Sequence, residues 1–224
     1  MQTSKPKLGD WKIRGLAQQI RYVHVYLGVD FEDVMYETGD APDFSRQGWL
    51  DIKPTLGFDF PNLPYYVDGD LKITESAAII RYVANKYDPK LLGRTNEERA
   101  HVDMINGPIG DLKSAVTGPC YSTGDKEAIR AKVDAALPAI VKYLGHKNFL
   151  VGDQVTYVDF IFFELLNLID FALDGSVVKA HETLVHYVAR IKALNGIQAY
   201  YDSPATQGLI FNNKMAKIGG AGSA

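Results

Sequence analysis

The spacing of apolar positions changes once along this chain, near residue 88. Before that point, strand-like alternation and helical spacing take turns. "KPKLGDW" reads as a short strand that ends at Asp10 and Trp11. From Leu16, the apolar residues Leu16, Ile20, Val23 and Leu27 recur on one helical face, and Gly28 stops the run. "FEDVMYE" reads as a second strand. The long polar and aromatic stretch after it holds a short helical piece near Phe44 to Ile52. "LPYYVDGDLKI" reads as a hairpin, with Asp68-Gly69 supplying the tight turn. "TESAAIIRYVANKY" reads as a helix with Thr74 at its N-cap. The order is β-α-β-α-β-β-α. Its opening strand, helix and strand suggest a right-handed parallel crossover, and the hairpin adds antiparallel strands.

After "DPKLLGRTNEE" the pattern is helical, over approximately 95–118, 126–145, 156–172, 178–193 and 196–202. "VGDQVTYVDFIFFELLNLIDF" is apolar nearly all round, as a buried central helix requires. Thr156 and Asp159 form a capping-box pattern with Asp in place of the usual Glu. The chain therefore divides into a small α/β domain over 1–88 and an all-helical domain over 89–224. The seam lies near 87–94, where Pro89 and Gly93 punctuate it. The small, Gly-rich tail "KIGGAGSA" is expected to be mobile.

Composition narrows the function classes. The 224 residues are 46% apolar and carry a formal net charge of −3, with Lys and Arg scattered among Asp and Glu. A nucleic-acid partner is disfavoured, because phosphate binding needs concentrated positive charge. No apolar run approaches the roughly 20 residues that span a bilayer. "MQTSKPKLGD" lacks the hydrophobic core of a secretion signal. The single Cys120 cannot form an internal disulfide, which fits a reducing, cytoplasmic compartment. It reads most simply as a buried thiol. The five histidines are dispersed, and His181 and His186 miss the i,i+4 spacing of helical metal ligands, so no metal is expected.

"LGDWKIRGLAQQIR", "TGDAPDFSRQGWL", "LGFDFPNLPYYVDGDLKITESAAIIRYVA" and "VGDQVTYVDF" carry a specific likeness. From about Lys7 to Phe211 the chain resembles the cytosolic glutathione transferases, most closely the mu class. The resemblance implies the glutathione transferase fold: a thioredoxin-like α/β N-terminal domain, an all-α C-terminal domain and a homodimer. It implies a cis peptide bond at Pro64, against a base rate of about 5% for X-Pro bonds. It also implies glutathione as co-substrate. Trp11, Arg46, Trp49 and Lys53 would meet the glycine-end carboxylate and neighbouring backbone. Asn62 and Leu63 would hold the central cysteinyl peptide. Glu75 and Ser76 would meet the γ-glutamyl end at a helix N-terminus, and Asp111 would reach its ammonium from the partner subunit. Glu75 stands where the mu class commonly has Gln. The electrophile pocket would draw on Ile13, Leu16, Gly110, Thr117 and Phe211, with Tyr121 as an acid near the leaving group. Gly110 stands where a larger side chain is common. Phe60 would enter the partner subunit, and Arg81 would lie at the dimer axis. Taken singly, Arg46 and Lys53 read as solvated charges, Trp49 and Phe60 as packing, and Glu75 and Asp111 as surface acids. Their joint match favours the functional reading.

Asp10 breaks the pattern. In the mu, alpha and pi classes a tyrosine at this position donates a hydrogen bond to the glutathione sulfur. A carboxylate only accepts. Two unit charges about 4 Å apart at an effective dielectric near 20 repel by about 4 kcal/mol, which raises a thiol pKa by roughly 3 units. Three arrangements escape this: a buried, protonated Asp10; an Asp10 turned to Lys12 or a backbone N–H; or a chain that binds glutathione with catalysis weak or lost. Two functions therefore stand at this point. One is a glutathione transferase acting on hydrophobic electrophiles. The other is a dimeric, non-catalytic glutathione-binding or structural protein on the same fold.

Overall fold

A computed structural model describes residues 5–222. The opening part holds four strands: β1 (Lys7–Trp11), β2 (Glu32–Tyr36), β3 (Tyr65–Asp68) and β4 (Leu71–Thr74), in the sheet order β2-β1-β3-β4. β1 runs parallel to β2 and antiparallel to β3, and β3 turns back onto β4. Three helices belong to this part: α1 (Gln18–Leu27), the short α2 (Gln47–Leu50) and α3 (Ser76–Tyr87). α4 (Asn96–Tyr121), α5 (Lys126–Leu144), α6 (Tyr157–Ala172), α7 (Glu182–Lys192), α8 (Ile197–Tyr201) and α9 (Pro204–Gln207) follow. A 3-10 turn at Pro89–Leu92 joins α3 to α4.

Period-two alternation puts adjacent tyrosines on opposite faces of the sheet. Tyr66 packs into the main core with α1 and α3, while Tyr65 stacks on Trp49 and Phe58 in a smaller cluster on the other face. The main core runs without a break from Leu8 and Ile20 to Phe160 and Tyr187, so the sheet part and the helical part share one interior. Gly9 permits the close packing beneath Tyr65, because a Cβ there would lie 2.2 Å from the ring.

The capping box on α6 is present, and the Asp159 carboxylate accepts from the backbone N–H groups of Leu150 and Thr156 and from both the Thr156 and Tyr187 hydroxyls. Leu63-Pro64 is cis, and so is Ala41-Pro42, which no sequence signal marked. Four expectations need correction. Thr74 does not cap α3. It ends β4, its hydroxyl donates to the Phe60 carbonyl, and Glu75 precedes the helix. The helix expected over 178–193 is a 3-10 turn at Val178–Ala180 and then α7, since His181 is extended between them. The helix placed near Phe44 to Ile52 shrinks to α2. The tail is not loose through its described part. Ile218 is buried, Lys217 N–H donates to the Cys120 carbonyl, and Asn212 holds the Ile218 carbonyl at 2.9 Å. Residues 223–224 of that tail, and 1–4 of the segment read for a signal, lie outside the described residues.

A buried histidine ties α1 to the sheet. His24 Nδ1 lies 3.0 Å from the Ile20 carbonyl and so carries the proton. Its Nε2, 2.9 Å from the Tyr66 hydroxyl, accepts. Burial lowers the His24 pKa to about 4, against a smaller opposing effect of the Ile20 carbonyl. The folded value lies below the unfolded one, near 6.5. The unfolded chain therefore binds the extra proton between those values, and stability falls by about 1.4 kcal/mol per pH unit as pH drops through that window. Relative to wild type, His24→Gln is expected to gain about 3 kcal/mol between pH 7 and pH 4. Urea unfolding at the two pH values checks this, and a constant difference would contradict it.

Candidate active site

The end of β1 is held by its own acid. Asp10 is 3% exposed, and its Oδ1 accepts from Trp11 N–H at 2.8 Å. Its Oδ2 accepts from Ala17 N–H at 3.2 Å, at the start of α1, where Ala17 offers no side-chain cap. The carboxylate thus serves the turn from 11 to 17 as a remote cap. Lys12, one of the partners considered for it, pairs with Glu37 instead. Burial lifts the Asp10 pKa to about 6, against the Trp11 N–H bond, Arg21 and the Ala17 N–H bond, which lower it.

The turn is fixed from below. The Arg21 guanidinium is fully buried, donates to the Ile13 carbonyl at 2.9 Å and pairs with Asp33. Arg14 reaches α6, where Glu164 receives Nε at 2.8 Å and Nη2 at 2.7 Å. The Phe211 ring covers the Arg14 guanidinium at 4.3 Å. The backbone N–H groups of Arg14 and Gly15 donate to the carbonyls of Ile210 and Phe211, so the C-terminal segment closes over the turn.

Between this turn, α4 and α6 lies a cavity of about 390 Å³. Asp10 and Trp11 of β1 and Leu63 before β3 line it. Ile13, Leu16, Leu165, Leu168 and Phe211 form an apolar wall, and Lys113, Thr117 and Tyr121 present one face of α4. The Tyr121 hydroxyl accepts from Asn213 N–H at 2.9 Å, while burial raises its pKa against that bond. The Thr117 hydroxyl is turned back to the Lys113 carbonyl at 2.9 Å.

Other expected residues lie outside this cavity. Gly110 is one turn too early on α4 and is not among the lining residues. Lys113 and Ser114 take the place expected for it. Trp49 is buried in the small cluster with Tyr36 and Tyr65 rather than lining the cavity. Arg46 and Asp111 are exposed, Lys53 is half-buried, and none of the three lines it. Asn62 Nδ2 approaches Glu75 Oε1 at 3.4 Å. Glu75 has φ 71°, a left-handed conformation costly for a non-glycine residue and concentrated at ligand sites. Ser76 opens α3 beside it. Phe60 is 80% exposed, and Arg81 pairs with Asp103 and donates to the Tyr157 hydroxyl. Cys120 is buried and unpaired with any other cysteine.

Lys113, Glu164, Leu165, Leu168, Asn212 and Asn213 line the cavity without having been singled out from the sequence. Lys113 carried a usable signal. It stands four residues before Thr117 and eight before Tyr121, so the three share a helical face.

Family models describe both parts of the chain. The model for the glutathione S-transferase N-terminal domain matches residues 6–85, and that for the C-terminal domain matches residues 110–204. The chain belongs to the glutathione S-transferase family. The relatives point to the mu class. Glutathione S-transferase Mu 4 of Mus musculus is 41% identical over 86% of this chain and 88% of its own. Glutathione S-transferase Mu 3 of Homo sapiens is 37% identical over 95% and 94%. A glutathione S-transferase of Tyrophagus putrescentiae is 39% identical over 97% and 98%. Among solved structures, the glutathione S-transferase Blo t 8 superposes with a TM-score of 0.86 at 27% identity, covering 95% of this chain and 99% of its own. The transferase therefore has the thioredoxin-like and helical architecture its sequence implied. Nothing in these relatives favours the non-catalytic alternative.

Proposed function

We propose that this transferase joins the thiol of glutathione to hydrophobic electrophiles in the cavity between β1, α4 and α6. The observation that carries the proposal is the cavity's composition: Asp10, Trp11 and Leu63 line it together with an apolar wall. Glutathione lies beside Trp11 and Leu63. The Leu63 backbone takes the cysteinyl peptide, with Asn62 beside it. Glu75, Ser76 and the N-terminus of α3 take the γ-glutamyl end, where the carboxylate of Glu75 suits an ammonium and the helix N-terminus suits a carboxylate. Trp11, Arg46, Trp49 and Lys53 serve the glycine end, and Asp111 serves the γ-glutamyl ammonium of the partner subunit. Ile13, Leu16, Thr117 and Phe211 receive the electrophile. The sulfur attacks the electrophilic carbon, an S–C bond forms, and the leaving group departs with its electron pair. Tyr121, which lines the cavity and whose burial holds the proton on its hydroxyl, donates to that group.

The working form is a homodimer with the exposed Phe60 as its anchor and Arg81 near its axis, in the cytoplasm. Among the described residues no helix is long and apolar enough to cross a membrane, and no group of His, Cys, Asp and Glu could hold a metal ion. The test combines calorimetric titration with glutathione, an initial-rate assay with glutathione and a generic aryl halide, and sedimentation of the same sample. Saturable binding, conjugation above the uncatalysed rate and a dimer mass are expected. Absence of glutathione binding at millimolar concentration would overturn the reading.

A further inference from the structure

A cation, Lys113, lines the cavity. Lys113, from α4, lines the same cavity as Asp10, Trp11 and Leu63. An ammonium has three N–H donors. The hydrogen bond that Lys113 makes goes to the neutral amide oxygen of Gln19, at 3.3 Å. It makes no ion pair with Asp10 or Glu164 of the kind Arg14 makes, so N–H donors remain for a ligand in the cavity.

The surrounding charges can be summed. From the turn after β1, Arg14 is spent on a bidentate pair with Glu164 of α6, and the two cancel. From β1, Asp10 contributes one negative charge. Arg21 of α1 is paired with Asp33 and turned to the Ile13 carbonyl. Tyr121, from α4, is neutral. Among the described residues, Lys113 is the remaining positive charge at the cavity, and it balances Asp10. Burial pulls its pKa down, while Glu164 and Asp10 hold it up.

We propose that Lys113 is the catalytic residue that stabilises the glutathione thiolate in this transferase, its ammonium facing the sulfur. The S–H bond breaks, the electron pair stays on sulfur, the proton leaves to solvent, and Nζ keeps its charge throughout. With Lys113 in place, the ionised thiol brings the cavity to a net charge of −1. Without it, the thiolate would stand beside uncompensated Asp10. A cation near a thiol lowers its pKa, and a second anion raises it. This inference rests on the glutathione site proposed above, and the experiment separates the two.

Wild type, Lys113→Met and Lys113→Arg are compared. Methionine keeps the unbranched stem, and arginine keeps the charge. Glutathione and S-methylglutathione, which has no thiol proton, are titrated by calorimetry. Thiolate is read by its ultraviolet absorbance in the enzyme complex across pH, and kcat/KM is followed over the same range. In Lys113→Met the bound thiol is expected to titrate about one pH unit or more higher, with kcat/KM about tenfold lower on the acid side. The difference should close at high pH, and S-methylglutathione affinity should stay unchanged. Lys113→Arg should retain most of the wild-type thiol pKa. An unchanged thiol pKa in Lys113→Met, or equal loss of S-methylglutathione binding, would overturn the role of Lys113 alone. Failure of wild type to bind glutathione would overturn the site itself.

Discussion

Asp10→Asn is expected to raise the conjugation rate at pH 7 by about tenfold or more, while making the folded protein more stable at that pH. With its pKa lifted to about 6 by burial, Asp10 is roughly nine-tenths ionised at pH 7. With glutathione bound as proposed above, an ionised carboxylate lining the cavity opposes thiolate formation, and each pKa unit recovered by the thiol is about tenfold more thiolate where the thiol is mostly protonated. Asparagine has the same shape and keeps an oxygen for the Trp11 N–H, but carries no charge. The stability effect has a definite sign. The folded pKa lies above the unfolded one, so the native state holds more protons between about pH 4 and 6. The stability of the neutral acid is complete below the unfolded value and is lost as pH rises through about 6, in total about 3 kcal/mol. Asparagine avoids that loss but weakens the bond to Ala17 N–H, by about 1 kcal/mol. A net gain of about 2 kcal/mol at pH 7 that disappears by pH 4 is expected. His24 has the opposite slope over an overlapping window, so wild type conceals both. Initial rates from pH 6 to 8, with urea unfolding at pH 4 and 7, check the prediction. A rate unchanged across that range would mean that Asp10 does not act on the thiol.

Glu164→Gln is expected to destabilise the protein by about 3–5 kcal/mol. The side chains of Arg14 and Glu164 are 5% and 6% exposed, so the amide would leave a buried guanidinium without its counter-charge. The Tyr22 hydroxyl at 3.0 Å and the Phe211 ring remain to Arg14, but neither carries a full negative charge. The pair connects the turn after β1 to α6. Its loss should therefore also loosen the cavity wall at Ile13 and Phe211. Pairing Glu164→Leu with Arg14→Met removes both charges and is expected to recover most of the loss, because apolar replacement of a whole buried pair is often neutral. Denaturant unfolding of the single and double variants measures this. A single-variant loss under about 1 kcal/mol would show that the pair is solvated in solution.

The strands, most of the helices and the capping box at Thr156 were legible because each depends on neighbours close in sequence. Alternation gave β1 and the hairpin, and Gly28 ended α1 where its apolar stripe ended. Failures came where distant chain segments decide. Thr74 has the chemistry of an N-cap, but pairing with β3 keeps it in a strand and its hydroxyl serves Phe60. The composition of the Gly-rich tail suggests a loose end, but Cys120, far away in sequence, and the nearby Asn212 supply bonds to its backbone.

The candidate site divides in the same way. The sequence by itself determined the family, supplied the residues proposed above for glutathione and put an acid, Asp10, at the end of β1, because these are matters of residue identity and order. The tertiary structure alone decided what Asp10 is bonded to, how far its burial shifts its proton, and that Arg14 is consumed by Glu164 while Lys113 is left facing the cavity. Charge state and hydrogen-bonding capacity at a site depend on the distance, burial and prior commitments of groups from β1, α1, α4 and α6. Those quantities exist only once the chain has brought the elements together.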